Sequence, residues 1–299
     1  MTDVDAFGVS PVATDRSYAK DGAAARRLVV QLFGRTAAWR GSEEIPLGPA
    51  GQRALFAVLA LSAGQPVIHR ELVEALWTDE PPREATNIIQ TYVKRLRRAL
   101  EPERPPRMPS DLLVRVGDGY ALRVDPACVD LRRFRTMVDA ARTARRQGDH
   151  QRVVLLLDEA MRTWQSPLLA DIPALANHPL LTATANERLT AVCWHAEAAL
   201  GLGAADEVLA AVARAAAAAP LHEGIHAWLI RLHWAIGQRA EGLAVYRRIA
   251  QRLARELGVE PGPELTGLRR AMMRPGPRGG RVGAARRSSH RPVRVHWRM

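Results

Sequence analysis

Two cysteines, Cys128 and Cys193, are all that the 299 residues contain, and neither stands in a CxxC pair. That excludes a disulfide scaffold and a zinc site built on cysteine. No apolar run reaches the length of a membrane span, and Asp3 and Asp5 stand where a signal peptide needs positive charge. A cytoplasmic protein with no membrane association is therefore expected. Lysine is almost absent: only Lys20 and Lys94 interrupt an otherwise all-arginine set of basic side chains, which together with the alanine content fits a GC-rich genome. There is no GxxxxGK followed by Ser or Thr and no GxSxG, so neither a nucleotide-binding phosphate loop nor a hydrolase nucleophile elbow is present.

The net charge of +12 suggests a polyanionic partner, but its distribution matters more than its total. Residues 1–27 sum to 0, 28–125 to +1, 126–273 to +3 and 274–299 to +8. The informative charge is local, in the run Lys94, Arg95, Arg97 and Arg98.

That run lies in Glu84–Leu100, EATNIIQTYVKRLRRAL. At helical spacing Ile89, Val93, Leu96 and Leu100 form a narrow apolar stripe. Asn87, Thr91, Lys94 and Arg98 fall nearly opposite, flanked by Gln90 and Arg95, and no acidic residue interrupts them. Amides, a hydroxyl and guanidinium groups on one face are the partners that base edges and phosphates accept.

The surroundings suit that role. Residues 1–27 are small, polar and aperiodic, a disordered leader. Short strand candidates follow at Leu28–Phe33, Thr36–Arg40 and Glu44–Leu47. Helices are expected at Gly51–Ala63 and His69–Trp77, with Pro81 and Pro82 forcing a turn before the third. Leu112–Val116 and Tyr120–Val124 flank Gly117-Asp118-Gly119, a strong hairpin signal. Three helices followed by a hairpin describe a winged helix-turn-helix whose last helix enters a major groove.

From Asp130 the pattern is helical throughout: Asp130–Gln147, His150–Trp164, Leu180–Leu200, Ala204–Ala219, Leu221–Ile236, Arg239–Leu257 and Glu264–Met273. Leu200, Leu202, Gly203, Glu207 and Leu209 recur as Trp234, Ile236, Gly237, Glu241 and Leu243, an offset of 34 residues. That is the tetratricopeptide period. Gly148-Asp149 reads as the turn of a third pair, set apart by an insertion-like Pro167–Pro179. Such stacks present a surface to a protein partner, or serve as structural support or a dimer face. The tail, 274–299, has eight arginines and no acid and is expected to be disordered, either adding salt-sensitive DNA affinity or idle.

The phrases QRALFAVLAL from Gln52, ELVEALWTDEPP from Glu71, NIIQTYVKRLRRAL from Asn87, VGDGYALRVDPACVDLRRF from Val116 and RELGVEPGPEL from Arg255 resemble the SARP-type bacterial transcriptional activators. The resemblance implies a mostly α chain: an OmpR-like winged-helix domain over 28–125 (small β-sheet, three helices, β-hairpin wing) and an all-α, tetratricopeptide-like bacterial transcriptional activator domain over 126–273. It implies a transcriptional activator of secondary-metabolite, antibiotic-type biosynthesis, without catalytic activity or cofactor. Its partners would be double-stranded promoter DNA at direct repeats, the RNA polymerase holoenzyme and, on DNA, a second copy as a homodimer. The nucleotide-hydrolysing module of larger members has no counterpart motif here. Carried over by position, the DNA-facing residues are Asn87, Gln90, Thr91, Lys94, Arg95, Arg97, Arg98 and, on the wing, Arg115. Two positions depart from the pattern. Val116 stands where OmpR-like wings often place an arginine, with Arg115 one residue earlier on the other strand face. His69 stands where relatives commonly have a serine cap for the second helix.

Two rival classes follow from the same residues. A helical-repeat interaction scaffold would use 126–273 without sequence-specific DNA binding. A zinc peptidase is suggested by His222-Glu223-Gly224-Ile225-His226, a literal HExxH, with Glu241 as a conceivable third ligand. Gly224 weakens the helix that would hold both histidines, Leu232 occupies the extended motif's third-histidine position, and the resembling family has a similar polar-Glu-x-x-His stretch there without catalysis. His195 and His233 read as helix-packing residues.

Overall fold

The computed structural model describes residues 27–274 except Ala63, Thr78, Asp79 and Gln165. The leader and the arginine-rich tail, expected to be disordered, lie outside the described residues apart from Arg27 and Arg274. The chain divides into two units: residues up to Arg132 together with Ser166–Ala176, and Arg133–Gln165 together with Asn177 onward.

The first unit opens with an antiparallel sheet, β1 (Leu28–Gln31), β2 (Ala37–Arg40) and β3 (Glu43–Glu44). Leu28 pairs with Arg40 and Gln31 with Ala37, which turns Leu28 and Val30 inward while Val29 stays exposed. Three helices follow, α1 (Ala50–Leu61), α2 (His69–Leu76) and α3 (Ala85–Leu100), then the hairpin β4 (Leu113–Val116) and β5 (Gly119–Leu122). Leu55, Phe56 and Leu59 of α1, Leu72 of α2, Ile89, Leu96 and Leu100 of α3 and Leu113 of β4 are almost completely buried. Each such side chain contributes about 1.5–3 kcal/mol through burial, so the apolar stripes chosen by helical periodicity hold the three helices together. The hairpin is fastened to the loop before α2: Val67 and Tyr120 exchange N–H···O=C bonds of 2.9 and 3.0 Å.

The second helix starts at His69, but its N-cap is Ile68. Glu71 accepts the Ile68 N–H at 3.2 Å, the returning half of a capping box. His69, placed by sequence at the cap, instead bonds through Nε2 to Thr86 Oγ1 at 3.0 Å.

The insertion-like stretch after Gln165 belongs to this first unit. The Leu169 N–H donates to Leu32 O, the Ala170 N–H to Gly34 O and the Gly34 N–H to Pro167 O, at 2.7–2.8 Å. Leu169, Ile172 and Leu175 are buried, and Asp171 accepts from the Thr36 N–H at 2.7 Å and from Arg53 Nε at 2.9 Å. Asp130 closes the same edge, its carboxylate accepting the Leu32 and Phe33 N–H groups at 2.8–3.0 Å.

In the second unit α4 (Asp130–Arg146, from Arg133 on), α5 (His150–Thr163), α6 (Pro179–Leu202), α7 (Ala205–Ala218), α8 (Glu223–Ala235), α9 (Arg239–Leu257) and α10 (Pro263–Met273) follow the expected order. Helices α5 to α9 pack in succession, with α10 against α8 and α9. The 34-residue echo is a repeated backbone device. Gly148, Gly203 and Gly237 all have φ of 73–81°, and the next N–H reaches back to Ala144 O, Ala199 O and His233 O at 2.8–3.0 Å. This six-to-one closure needs a left-handed residue, which is why glycine stands at all three turns.

Candidate nucleic-acid interface

The third helix buries Ile89, Val93, Leu96 and Leu100, each 2% exposed or less, and leaves Asn87, Gln90, Thr91, Lys94, Arg95 and Arg98 exposed. At 1.5 Å per residue these six span about 16 Å of helix. Among the described residues none of Lys94, Arg95 and Arg98 has an ion-pair partner. Thr91 donates its hydroxyl to the Asn87 carbonyl at 2.8 Å, leaving its oxygen lone pairs outward. The face therefore offers amide donors and acceptors, hydroxyl acceptors and three cations, with no protein partner competing for the charges.

Both ends of that helix are clamped. The His69–Thr86 bond ties its first turn to α2. At the other end Arg40 of β2 donates to the Ala99 and Leu100 carbonyls at 3.1 and 2.6 Å, satisfying groups that lack helical partners and placing a cation at the negative end of the helix dipole. Just beyond, Glu101 accepts the Asp111 and Leu112 N–H groups at 2.8 and 3.2 Å and the Ser110 hydroxyl, fixing the run into the hairpin.

Arg97 does not join the exposed set. It is half-buried, donates Nε–H to the Leu113 carbonyl at 2.9 Å and lies 5.7 Å from the centre of the Tyr120 ring. Burial pushes its pKa below the usual guanidinium value, and the neighbouring Arg104 and Arg115 act in the same direction against Tyr120 and Glu101. It ties α3 to the hairpin. Arg115 is exposed, pairs with Tyr120 across the hairpin and donates to the Gly117 carbonyl at 3.4 Å. It thus shares a hairpin face with the aromatic ring under Arg97, while Val116, at the position OmpR-like wings give to arginine, is an exposed apolar residue at the tip.

The HExxH residues are engaged otherwise. His222 is the N-cap of α8, its Nδ1 accepting the Ile225 N–H at 3.1 Å. Glu223 accepts the Gly262 N–H at 2.6 Å, and His226 Nδ1 lies 3.1 Å from the His222 carbonyl. Among the described residues no three His, Cys, Asp or Glu side chains converge as a metal site. His195 is buried with Nε2 3.1 Å from Asp158, and His233 Nδ1 is 2.8 Å from Gln238 Oε1. No helix among the described residues is long and apolar enough to cross a membrane.

What sequence reasoning missed is the scaffold behind the face: Arg40, the His69–Thr86 bond and the inward turn of Arg97. Arg40 carried no local signal, since its partners are 59 and 60 residues away.

Residues 42–122 match the family described as "Transcriptional regulatory protein, C terminal", and residues 129–273 match "Bacterial transcriptional activator domain". The chain is 32% identical over 252 residues to regulatory protein AfsR of Streptomyces griseus, covering 84% of this chain and 25% of that protein. It is 31% identical over 250 residues to transcriptional regulatory protein MoaR1 of Mycobacterium tuberculosis, covering 83% of this chain and 79% of that one. The chain thus spans a quarter of the AfsR relative but most of the MoaR1 relative. The solved structure of Mycobacterium tuberculosis EmbR in complex with a low affinity phosphopeptide superposes with a TM-score of 0.72 at 30% identity, covering 83% of this chain and 65% of that one. An OmpR-like winged helix followed by an all-helical activator domain, in the order shared with these regulators, places the chain in the SARP-type family of bacterial transcriptional regulators.

Proposed function

We propose that the chain activates transcription in the bacterial cytoplasm by binding promoter DNA through α3. The observation that supports this most is a helix buried on one side, clamped at both ends, and carrying Asn87, Gln90, Thr91, Lys94, Arg95 and Arg98 on the other. In a major groove, Asn87 and Gln90 suit the paired donor and acceptor of adenine, while Arg95 and Arg98 suit guanine or phosphate oxygens. Lys94 suits phosphates. Arg115 on the hairpin contacts flanking backbone, and Arg97 positions the hairpin relative to the reading helix.

The SARP resemblance carries the rest of the proposal. The sites are direct repeats, two copies occupy them as a homodimer, the bound protein contacts the RNA polymerase holoenzyme, and the regulated genes direct secondary-metabolite biosynthesis. Footprinting the intact protein on DNA upstream of its neighbouring genes, at several salt concentrations, tests it. Protected repeats about one helical turn apart support the reading. Uniform weak protection that disappears with salt indicates sequence-independent binding and refutes it.

A further inference from the structure

Val116, at the hairpin tip, and Ile68, at the start of α2, are 37% and 38% exposed, whereas Val67, Leu113, Tyr120, Ala121 and Leu122 around them are buried. Backbone pairing brings the two together. Val116 stands opposite Gly119 in the hairpin register, and Arg115 opposite Tyr120. Tyr120 in turn bridges Val67, which sets Ile68 beside Gly119. The Val67 carbonyl oxygen and Ile68 Cα lie 2.1 and 2.8 Å from where a Gly119 Cβ would stand, so backbone fills the gap that the glycine leaves. Side chains alternate along a strand and cross-strand partners share a face. Val67, Tyr120 and Arg115 therefore lie to one side, and Val116 and Ile68 to the other.

This apolar pair continues the exposed face of α3. His69, next in the chain to Ile68, bonds to Thr86, which precedes Asn87. On its other flank the turn Gly117-Asp118-Gly119 carries an exposed acid, which repels phosphates. Valine and isoleucine are both stiff at χ1, so covering them costs little entropy. A helix about 10–12 Å across fills a major groove about 12 Å wide, and groups beside it meet the sugar–phosphate strands that wall the groove.

We propose that Val116 and Ile68 pack against deoxyribose of the strand flanking α3, a contact of shape and dispersion that carries no charge and reads no base. The assignment rests on DNA reading by α3 and adds to it a second, uncharged point of support. A protein occupant does not fit the size of the pair: two half-exposed side chains fall far short of the roughly 800 Å² per partner that a stable interface buries.

The test uses the full chain and a duplex holding one repeat from the region it protects upstream of its neighbouring genes, with affinity measured across a salt series. Ile68→Ser and Val116→Thr are each expected to weaken binding about threefold, the loss for the part of each side chain left exposed. The slope of log affinity against log salt should stay unchanged, because an apolar contact releases no counterions. Val116→Ile should bind as well as the native chain. Ile68→Ser also places a hydroxyl at the N-cap of α2, so its unfolding midpoint should hold or rise while its affinity falls, which separates contact from folding. Unchanged affinity in either weakening variant overturns the proposal, and a shallower salt slope overturns it in favour of a phosphate contact. A loss seen on a duplex with two repeats but not on one overturns it in favour of a contact between copies. The double variant R95A/R98A is the control. If that variant binds normally, or no region is protected, DNA reading by α3 itself fails; if it binds weakly while the Val116 and Ile68 variants bind normally, only the sugar contact fails.

Discussion

Arg97 of α3 donates Nε–H to the Leu113 carbonyl of β4 at 2.9 Å, so one side chain ties the third helix to the hairpin. Replacing Arg97 with Ala should cost about 1–3 kcal/mol, the range for leaving a partly buried acceptor unpaired. Arg98→Ala, one residue on and exposed, should cost less than about 0.5 kcal/mol. Chemical denaturation of the two variants measures the contrast, and equal losses would remove the tie proposed for Arg97.

Arg95 and Arg98 should behave in the opposite way. Their joint replacement by Ala is expected to weaken promoter binding at least tenfold with helical content unchanged by circular dichroism. For every phosphate that no longer meets an arginine, the slope of log affinity against log salt becomes shallower by about 0.9. A slope that stays constant while specificity falls identifies the pair as base readers. Unchanged affinity contradicts the assignment of the face.

Asp171 should stabilise the first unit in a pH-dependent way. Burial raises its pKa, but the Thr36 N–H and the Arg53 guanidinium outweigh burial and hold it below 3.8. The stabilisation is present above that value and is lost as pH falls through the depressed one. Asp171→Asn should cost about 1–2 kcal/mol at neutral pH, since the site is partly exposed, and should flatten the acid end of the stability curve. A thermal unfolding series from neutral to acid pH reads both effects.

Gly119 should tolerate no side chain. A Cβ there would lie 2.1 Å from the Val67 carbonyl oxygen, against backbone that is itself bonded to Tyr120. Gly117, at φ 60°, has open space around it. Gly119→Ala is therefore expected to cost several kcal/mol or release the hairpin, whereas Gly117→Ala should cost about 1–2 kcal/mol from backbone conformation alone. Amide exchange of Val67 and Tyr120 distinguishes the two.

Three histidines should make the protein less stable in mild acid. Burial lowers the pKa of His178, His195 and His226 below 6.5, with Asp158 opposing the shift at His195. As pH falls below 6.5 the unfolded chain takes up these protons first, so stability declines. Replacing His195 with Gln should make the decline between pH 6.5 and about 5 shallower. An unaltered slope would show that the other groups account for it.

The helices were legible because their stripes are periodic: Ile89, Val93, Leu96 and Leu100 announce a buried side wherever the partner helices sit. The turn glycines were legible for a similar reason, since the 34-residue echo repeats one local closure. What was not legible depended on distant partners. Arg97 sits at the flank of the basic face, and only the docked hairpin decides that it turns to Leu113. The resemblance puts His69 at the position of a serine cap, but Ile68 is the N-cap and Glu71 does the capping. Pro167–Pro179 gave no periodic signal because its order comes from pairing with Leu32 and Gly34, more than a hundred residues upstream.

That pairing has a practical consequence for anyone cutting the gene. The first unit is not one contiguous stretch ending after the hairpin at Val124: Leu169, Ile172 and Leu175 complete its interior and Asp130 and Asp171 complete its hydrogen bonding. A fragment ending at Val124 is expected to leave an open seam along β1 and the loop after it, and the stretch that closes the seam returns only at Ser166–Ala176, beyond α4 and α5.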